Sequence, residues 1–436
     1  MWKTKALRWK RLDNAAKIFP AIAGREDSEV FRISCELREP VDPAALQSAV
    51  EAAVEENPTF TETIRRGVFW YYLEATGLCP KVHEETNTPL QPLYEDGSRL
   101  LLDVSYYRTR INLEIFHALA DGTGAFVFFN SIIAYYLKAA HPEELRDFRI
   151  EPVDSTTKER EADGFTDYFR PDKGSSTNFE FLGSGSKKVK IYHFNEPPTP
   201  DCRQLVTECE VSVAKIKAAA KSMNATITEF LCALLISSIH STSGRRERDK
   251  TISVAIPVNL RNYFATNTLR NFFGMIEVRY SYADGVQDSN EPALSDVIAS
   301  VRSSFETELT RENMEQKIAS QVKMERHPIV RVCPLFLKDF IMNILQGVSL
   351  KRRTICLSNV GRISVQPELA PFIERFDVFN SSSKRQVCVC SFGDAMQISF
   401  SGVLSEHDVE RAFFRNLAKY DPDIKIAANY SAKEFV

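Results

Sequence analysis

The apolar positions of the chain alternate or recur at helical spacing in an order that is nearly repeated in its two halves. Phe31, Ile33, Cys35 and Leu37 alternate with Arg32, Ser34, Glu36 and Arg38, the period of a half-buried strand. Asp42 and Pro43 then supply an N-cap and a first helical residue, and Leu46, Ala49, Val50, Ala53 and Val54 follow at helical spacing up to the stop at Asn57-Pro58. Two hairpins are expected next, one turning at Arg66-Gly67 into Val68 to Leu73 and one at Asp96-Gly97 into Leu100 to Tyr106. Ile111, Leu113 and Ile115 share the parity of His117, so the strand they predict points this imidazole to its apolar side. Asp121-Gly122 follows, a carboxylate and then a residue free to take positive φ. It turns the chain into Ala125 to Ile133, which is apolar nearly all round and is expected to be a buried helix.

Between Pro152 and Gln204 the periodicity fades into charged and Gly/Ser/Lys-rich sequence, with Phe165, Tyr168 and Phe169 as a candidate anchored island. Strand then helix returns after it: Leu205, Thr207, Cys209 and Val211 alternate, Ser212 can cap, and Val213 to Ser222 reads as a helix. The division expected is a first lobe over 1–151, a crossover over 152–204 and a second lobe over 205–436, both lobes mixed α/β. Further on, Pro334 to Gly347 is apolar at helical spacing and is followed by Lys351-Arg352-Arg353. A buried or groove-side helix is the favoured reading there, with a membrane-surface helix as the alternative. Ser405-Glu406-His407-Asp408 is expected to cap the final helix, with His407 solvated.

Composition narrows the partners. With 436 residues, 44% hydrophobic, the chain can fill two or three cores. A formal charge of −3 and a pI near 6.2 argue against nucleic acid. Nine cysteines, odd in number and scattered, suit free thiols in a reducing cytosol, so a cytoplasmic protein is expected. Cys388-x-Cys390 is a strand alternation, and no metal site is expected. The first eight residues lack the apolar core of a signal peptide, and no run reaches the length of a membrane span, which leaves at most peripheral membrane contact.

His117-Ala-Leu-Ala-Asp121-Gly122, an H-x-x-x-D-G pattern closing a strand, resembles the signature of the chloramphenicol acetyltransferase-like acyltransferases, which include BAHD enzymes, nonribosomal peptide condensation domains, wax ester synthases and alcohol acetyltransferases. Five further stretches resemble that superfamily in its own order. They are Asn224 to Leu231 with the helix after it, Pro257-Val258-Asn259-Leu260-Arg261, Asn271-Phe272-Phe273-Gly274, Leu357-Ser358-Asn359-Val360-Gly361, and the hairpin at Ser391-Phe392-Gly393-Asp394. The opening Leu12 to Pro20 is similar to that of alcohol acetyltransferase-like proteins. The resemblance implies two such lobes with a tunnel between them and His117 at its middle, in a monomer that binds no cofactor and uses acyl-CoA as co-substrate. It also implies that His117 is the general base and that Asp121 is architectural, meeting an arginine of the other lobe. Arg261 is the expected partner, and Arg65 or Arg66 the runner-up.

Two departures narrow the branch. Phe116 stands where condensation domains and wax ester synthases carry a first histidine, and neither a carrier domain nor a D-F-G-W-G motif is present, so the alcohol acetyltransferases are nearest. Transfer from a thioester to an alcohol passes through an oxyanion that needs a hydrogen-bond donor, for which Ser358 and Asn359 are the candidates. The function expected is acyl-CoA-dependent transfer to a small alcohol. The alternatives are a non-catalytic protein that keeps the fold for binding, and a condensation-type enzyme acting on an amine or a carrier-bound acyl group.

Overall fold

The computed structural model describes residues 9–86, 88–95, 97, 99–151, 155–170, 189–244, 247–282 and 293–431. Two mixed sheets form the two lobes. The first has the order Ile373–Asn380, Val30–Leu37, Arg110–Phe116, Leu102–Tyr107, His83–Glu84. The second has seven strands, in the order Phe273–Tyr280, Ile252–Asn259, Ile355–Arg362, Arg385–Phe392, Ala395–Gly402, Leu205–Ser212, Lys425–Ala428. Each lobe has its own apolar core, filled in the first by the helices Pro43–Glu56 and Gly122–Ala140 and in the second by Ile227–Thr242 and Asp408–Leu417. A small third sheet pairs Trp9–Arg11 and Glu62–Arg66 with Tyr71–Ala75.

Local chemistry explains the elements. Asp42 caps Pro43–Glu56 through the amides of Ala44 and Ala45, and Ser212 caps Val213–Ser222. Thr226 and Glu229 close a capping box on Ile227–Thr242, whose apolar residues are buried nearly all round. Among the described residues no single helix is long and apolar enough to cross a membrane.

Several expectations need correction. The division at residue 205 leaves out one strand, because Ile373–Asn380 leaves the second half of the chain and pairs antiparallel with Val30–Leu37 in the first lobe's sheet. Arg110–Phe116 is buried on both faces, with the side chains of either parity covered. Its polar side is matched instead of wetted: Arg32 pairs with Glu114 at 2.8 Å and Glu85 at 2.6 Å, and Ser34 donates to Asn112 at 2.8 Å. The Arg66-Gly67 hairpin forms, but no hairpin forms across residues 96 and 97, of which Asp96 lies outside the described residues. Gly97, at φ +77°, turns against the carbonyl of Ile64 instead, and Leu102–Tyr107 takes Arg110–Phe116 as its antiparallel partner. Of the crossover, only the parts outside 152–154 and 171–188 are described. There Phe165 is fully buried edge-on to Phe272, Tyr168 stacks on the same ring, and Arg326 covers Phe169. His407 is covered, stacked on Tyr430 with 12% of its side chain exposed, and as N-cap it makes no side-chain cap. Finally, Leu335–Leu350 is neither buried nor a groove wall alone, since Leu335 is its only buried residue.

Candidate active site

His117 follows directly on Arg110–Phe116, and its amide is held by the carbonyl of Glu29 at 2.8 Å. The parity inferred for it puts the ring among aromatics, stacked on Phe19 at 4.6 Å and tilted against Phe31 and Phe273. Its Nδ1 lies 3.1 Å from Oδ1 of Asn271, across the lobes. The Asn271 amide is oriented by its Nδ2, which donates to Asp13 at 3.3 Å, so Oδ1 is an acceptor and Nδ1 carries the proton. The lone pair is therefore on Nε2. Burial pushes the imidazole below its usual value, against its own backbone, Asp121 and Asn271, so the ring is neutral near pH 7.

Behind Asn271 lies Asp13, fully buried. Burial pushes its carboxyl up to about 6, although Arg270 and the amide of Ala16 pull the other way. His117, Asn271 and Asp13 thus form a chain of side chains from the imidazole to a buried carboxyl. Neither Asn271 nor Asp13 was singled out from the sequence as a site residue. Asn271 stands in one of the segments that drew the resemblance and Asp13 in the opening one, but only the folded lobes bring them to His117.

Asp121 is saturated elsewhere. Its Oδ1 caps Gly122–Ala140 through the amide of Gly124 at 3.0 Å, and its Oδ2 accepts from Arg261 Nη1 at 2.7 Å and the amide of Phe272 at 2.9 Å. Arg261 also donates to the carbonyls of Thr268 and Arg270, so one ion pair holds the segment that presents Asn271. Arg65 and Arg66 lie apart from it, paired with Glu74 and Asp339. Gly122 does not use positive φ; it is the first helical residue, with open space where a Cβ would stand. Glycine is required at Gly124 instead, where a Cβ would sit 1.9 Å from the carbonyl oxygen of Leu269.

A cavity of about 380 Å³ between the lobes is lined by His117 and Gly122 from one side and by Val258, Met275, Ser358 and Asn359 from the other. Strand alternation puts Leu357 in the core and Ser358 on the cavity face of Ile355–Arg362. The Asn359 amide is partly engaged, donating to Thr228 at 2.8 Å and accepting from the amide of Gly361 at 2.9 Å. Arg353 and Lys384 add positive charge to the wall, and burial beside Arg353 lowers the Lys384 ammonium to about 8. Among the described residues no group of three or more His, Cys, Asp or Glu could hold a metal ion, and all nine cysteines are unbridged.

Two lobes of mixed sheet make up a fold that solved condensation domains and acetyltransferases share. Residues 197–391 match the sequence profile of the alcohol acetyltransferase family. No curated protein matches the chain by sequence. Among solved structures, the first condensation domain of the calcium-dependent antibiotic synthetase, with a substrate analogue, matches at TM-score 0.63 and 14% identity, over 96% of this chain and 99% of that one. Trichothecene 15-O-acetyltransferase TRI3 of Fusarium sporotrichioides matches at TM-score 0.60 and 12% identity, over 96% and 97%. TRI101 of F. sporotrichioides, complexed with coenzyme A and T-2, matches at TM-score 0.59 and 10% identity, over 96% and 99%. The chain thus carries the acyltransferase fold throughout and the alcohol acetyltransferase family's sequence over its 197–391 segment.

Proposed function

We propose that the protein is an acyl-CoA-dependent O-acyltransferase with His117 as general base. The observation that carries this reading is the Nδ1 to Asn271 hydrogen bond, which leaves a neutral Nε2 as proton acceptor in a cavity open to both lobes. An alcohol bound there gives its proton to Nε2 as its oxygen attacks the thioester carbonyl. The oxyanion accepts a hydrogen bond from Ser358, whose hydroxyl faces the cavity. The C–S bond then breaks, the thiolate takes the proton back from the imidazolium, and neutral His117 is restored. No covalent enzyme intermediate is required. Asn271 acts as a positioning residue, with the Asp13 carboxylate behind it favouring the imidazolium. Arg353 and Lys384 suit the phosphates of coenzyme A, the ligand bound by TRI101. A reducing compartment such as the cytoplasm suits the nine free thiols.

The test is thiol release from acetyl-CoA and longer acyl-CoAs against a panel of alcohols and amines. Release that depends on an alcohol and falls by about 10² or more in His117→Ala is expected, the usual worth of a positioned base. Release with amines alone would reassign the enzyme as condensation-type. No release with any pair would leave a binding protein.

A further inference from the structure

The helix Leu335–Leu350 carries the largest apolar exposure of the described residues. Phe336 is 69% exposed, Phe340 64% and Ile344 52%, and Leu337, Ile341 and Val348 complete one face at helical spacing. The patch continues past the helix. Ile329 and Val332, on the preceding Pro328–Val332 turn, are about as bare, and so is Val68 at the tip of the Arg66-Gly67 hairpin. That tip is fastened to the helix: the amide of Leu335 donates to Val68, and Lys338 donates to Phe69 and covers the Trp70 ring. A connected apolar surface of this kind on a folded protein marks a binding face.

Charge selects the occupant. From Lys323 to Arg353 the chain has seven Lys or Arg against two carboxylates, within a protein whose net charge is −3. Both carboxylates are neutralised locally, Glu325 by Lys17 and Asp339 by Arg66. Exposed Arg331 and Lys351 stand at the two ends of the apolar face, where their stems extend it and their heads reach outward. The opposite side of the same helix reaches the catalytic cavity through Gln346 and Leu350, and Asn343 ties it to Ala21 beside the Phe19 that stacks on His117.

We propose that this face docks on an anionic phospholipid membrane, with the apolar side chains in the acyl boundary and the basic ends at the headgroups. Docking would lay against the bilayer the helix whose other side lines the cavity. It does not depend on acyl transfer, so it can fail or succeed separately from the proposed reaction.

Flotation of the full chain with phosphatidylcholine vesicles, with and without a quarter phosphatidylserine, reads the docking directly. The wild type should float with the phosphatidylserine vesicles, and more weakly, by roughly fivefold per cation engaged, with phosphatidylcholine alone or in high salt. Phe336→Ser/Phe340→Ser should lose at least about tenfold in partition. Because both rings are exposed and away from the cavity, this variant should keep its melting temperature and thiol release. Arg331→Glu/Lys351→Glu should abolish the preference for phosphatidylserine. Wild-type protein that stays with the soluble fraction, or a double serine variant that floats as well as wild type, overturns the proposal. So does light scattering that shows a dimer which the serine variant dissociates, since that would assign the face to a second copy of the chain.

Discussion

Removing the Asn271 amide tests the relay most sharply. In the resting site the Nδ1–H of a neutral imidazole donates to Oδ1, a bond worth about 1 kcal/mol. In the proposed reaction His117 accepts the substrate proton, the same donor becomes cationic and the bond rises to about 1.5–3 kcal/mol. The difference, roughly 1 to 2 kcal/mol, is made only in the transition state and corresponds to about 5- to 30-fold in kcat. Asn271→Ala also frees the ring to place its proton on Nε2, the unproductive tautomer, which brings the expected loss to about 10- to 100-fold. KM should change little, because no substrate contact is removed. Asn271→Asp separates positioning from a merely structural role. It restores an acceptor and adds a charge, so His117 should titrate higher and the acid limb of the kcat profile should move up in pH. Kinetics of Asn271→Ala within twofold of wild type, or an Asn271→Asp profile that does not move, would refute the relay.

Four further outcomes follow from the same geometry. Breaking the interlobe ion pair with Asp121→Ala leaves Arg261 uncompensated and uncaps the motif helix, so denaturation should show a loss of about 3–5 kcal/mol; in a double-mutant cycle with Arg261→Ala the coupling should exceed about 0.5 kcal/mol, and strict additivity would show that the pair contributes nothing. Asp13 and His117 should give pH dependences of opposite sign. With its folded value raised to about 6 from 3.8, Asp13 adds stability as pH falls through that window, and Asp13→Asn should remove this gain in melts between pH 4 and 6. His117, lowered on folding from 6.5, costs stability as pH drops below that value, and His117→Ala should relieve the loss. Gly124→Ala should destabilise the fold by about 1 to 3 kcal/mol, while Gly122→Ala, with open space around it, should leave the melting temperature unchanged; equal effects would contradict the packing against Leu269.

Some of this was readable from local pattern. The parity of Ile111, Leu113 and Ile115 places His117 correctly because strand alternation is a property of the backbone. Asp42, Ser212 and Thr226 cap the helices they precede because a cap needs only its own next three amides. The Asp-Gly signal at residue 97 marked a turn but not its partner: the turn packs against Ile64 from a different sheet. Likewise, the apolar spacing of Leu335–Leu350 described an amphipathic helix and could not say whether its apolar face was covered, and in the fold it is not.

The chain's local order therefore settled which elements form, which face of each is apolar, and that a histidine stands at the end of a strand, because periodicity, capping and turn chemistry act over a few residues. Folding alone decided what meets across the lobes. Asp13 and Asn271, 258 positions apart, join His117 only when the opening segment is tucked beneath the second lobe. Ile373–Asn380 lies in the first lobe's sheet because its antiparallel ladder is with Val30–Leu37. Burial then set the chemistry, since the protonation of a carboxyl or an imidazole depends on the water removed around it, and a sequence does not record that removal.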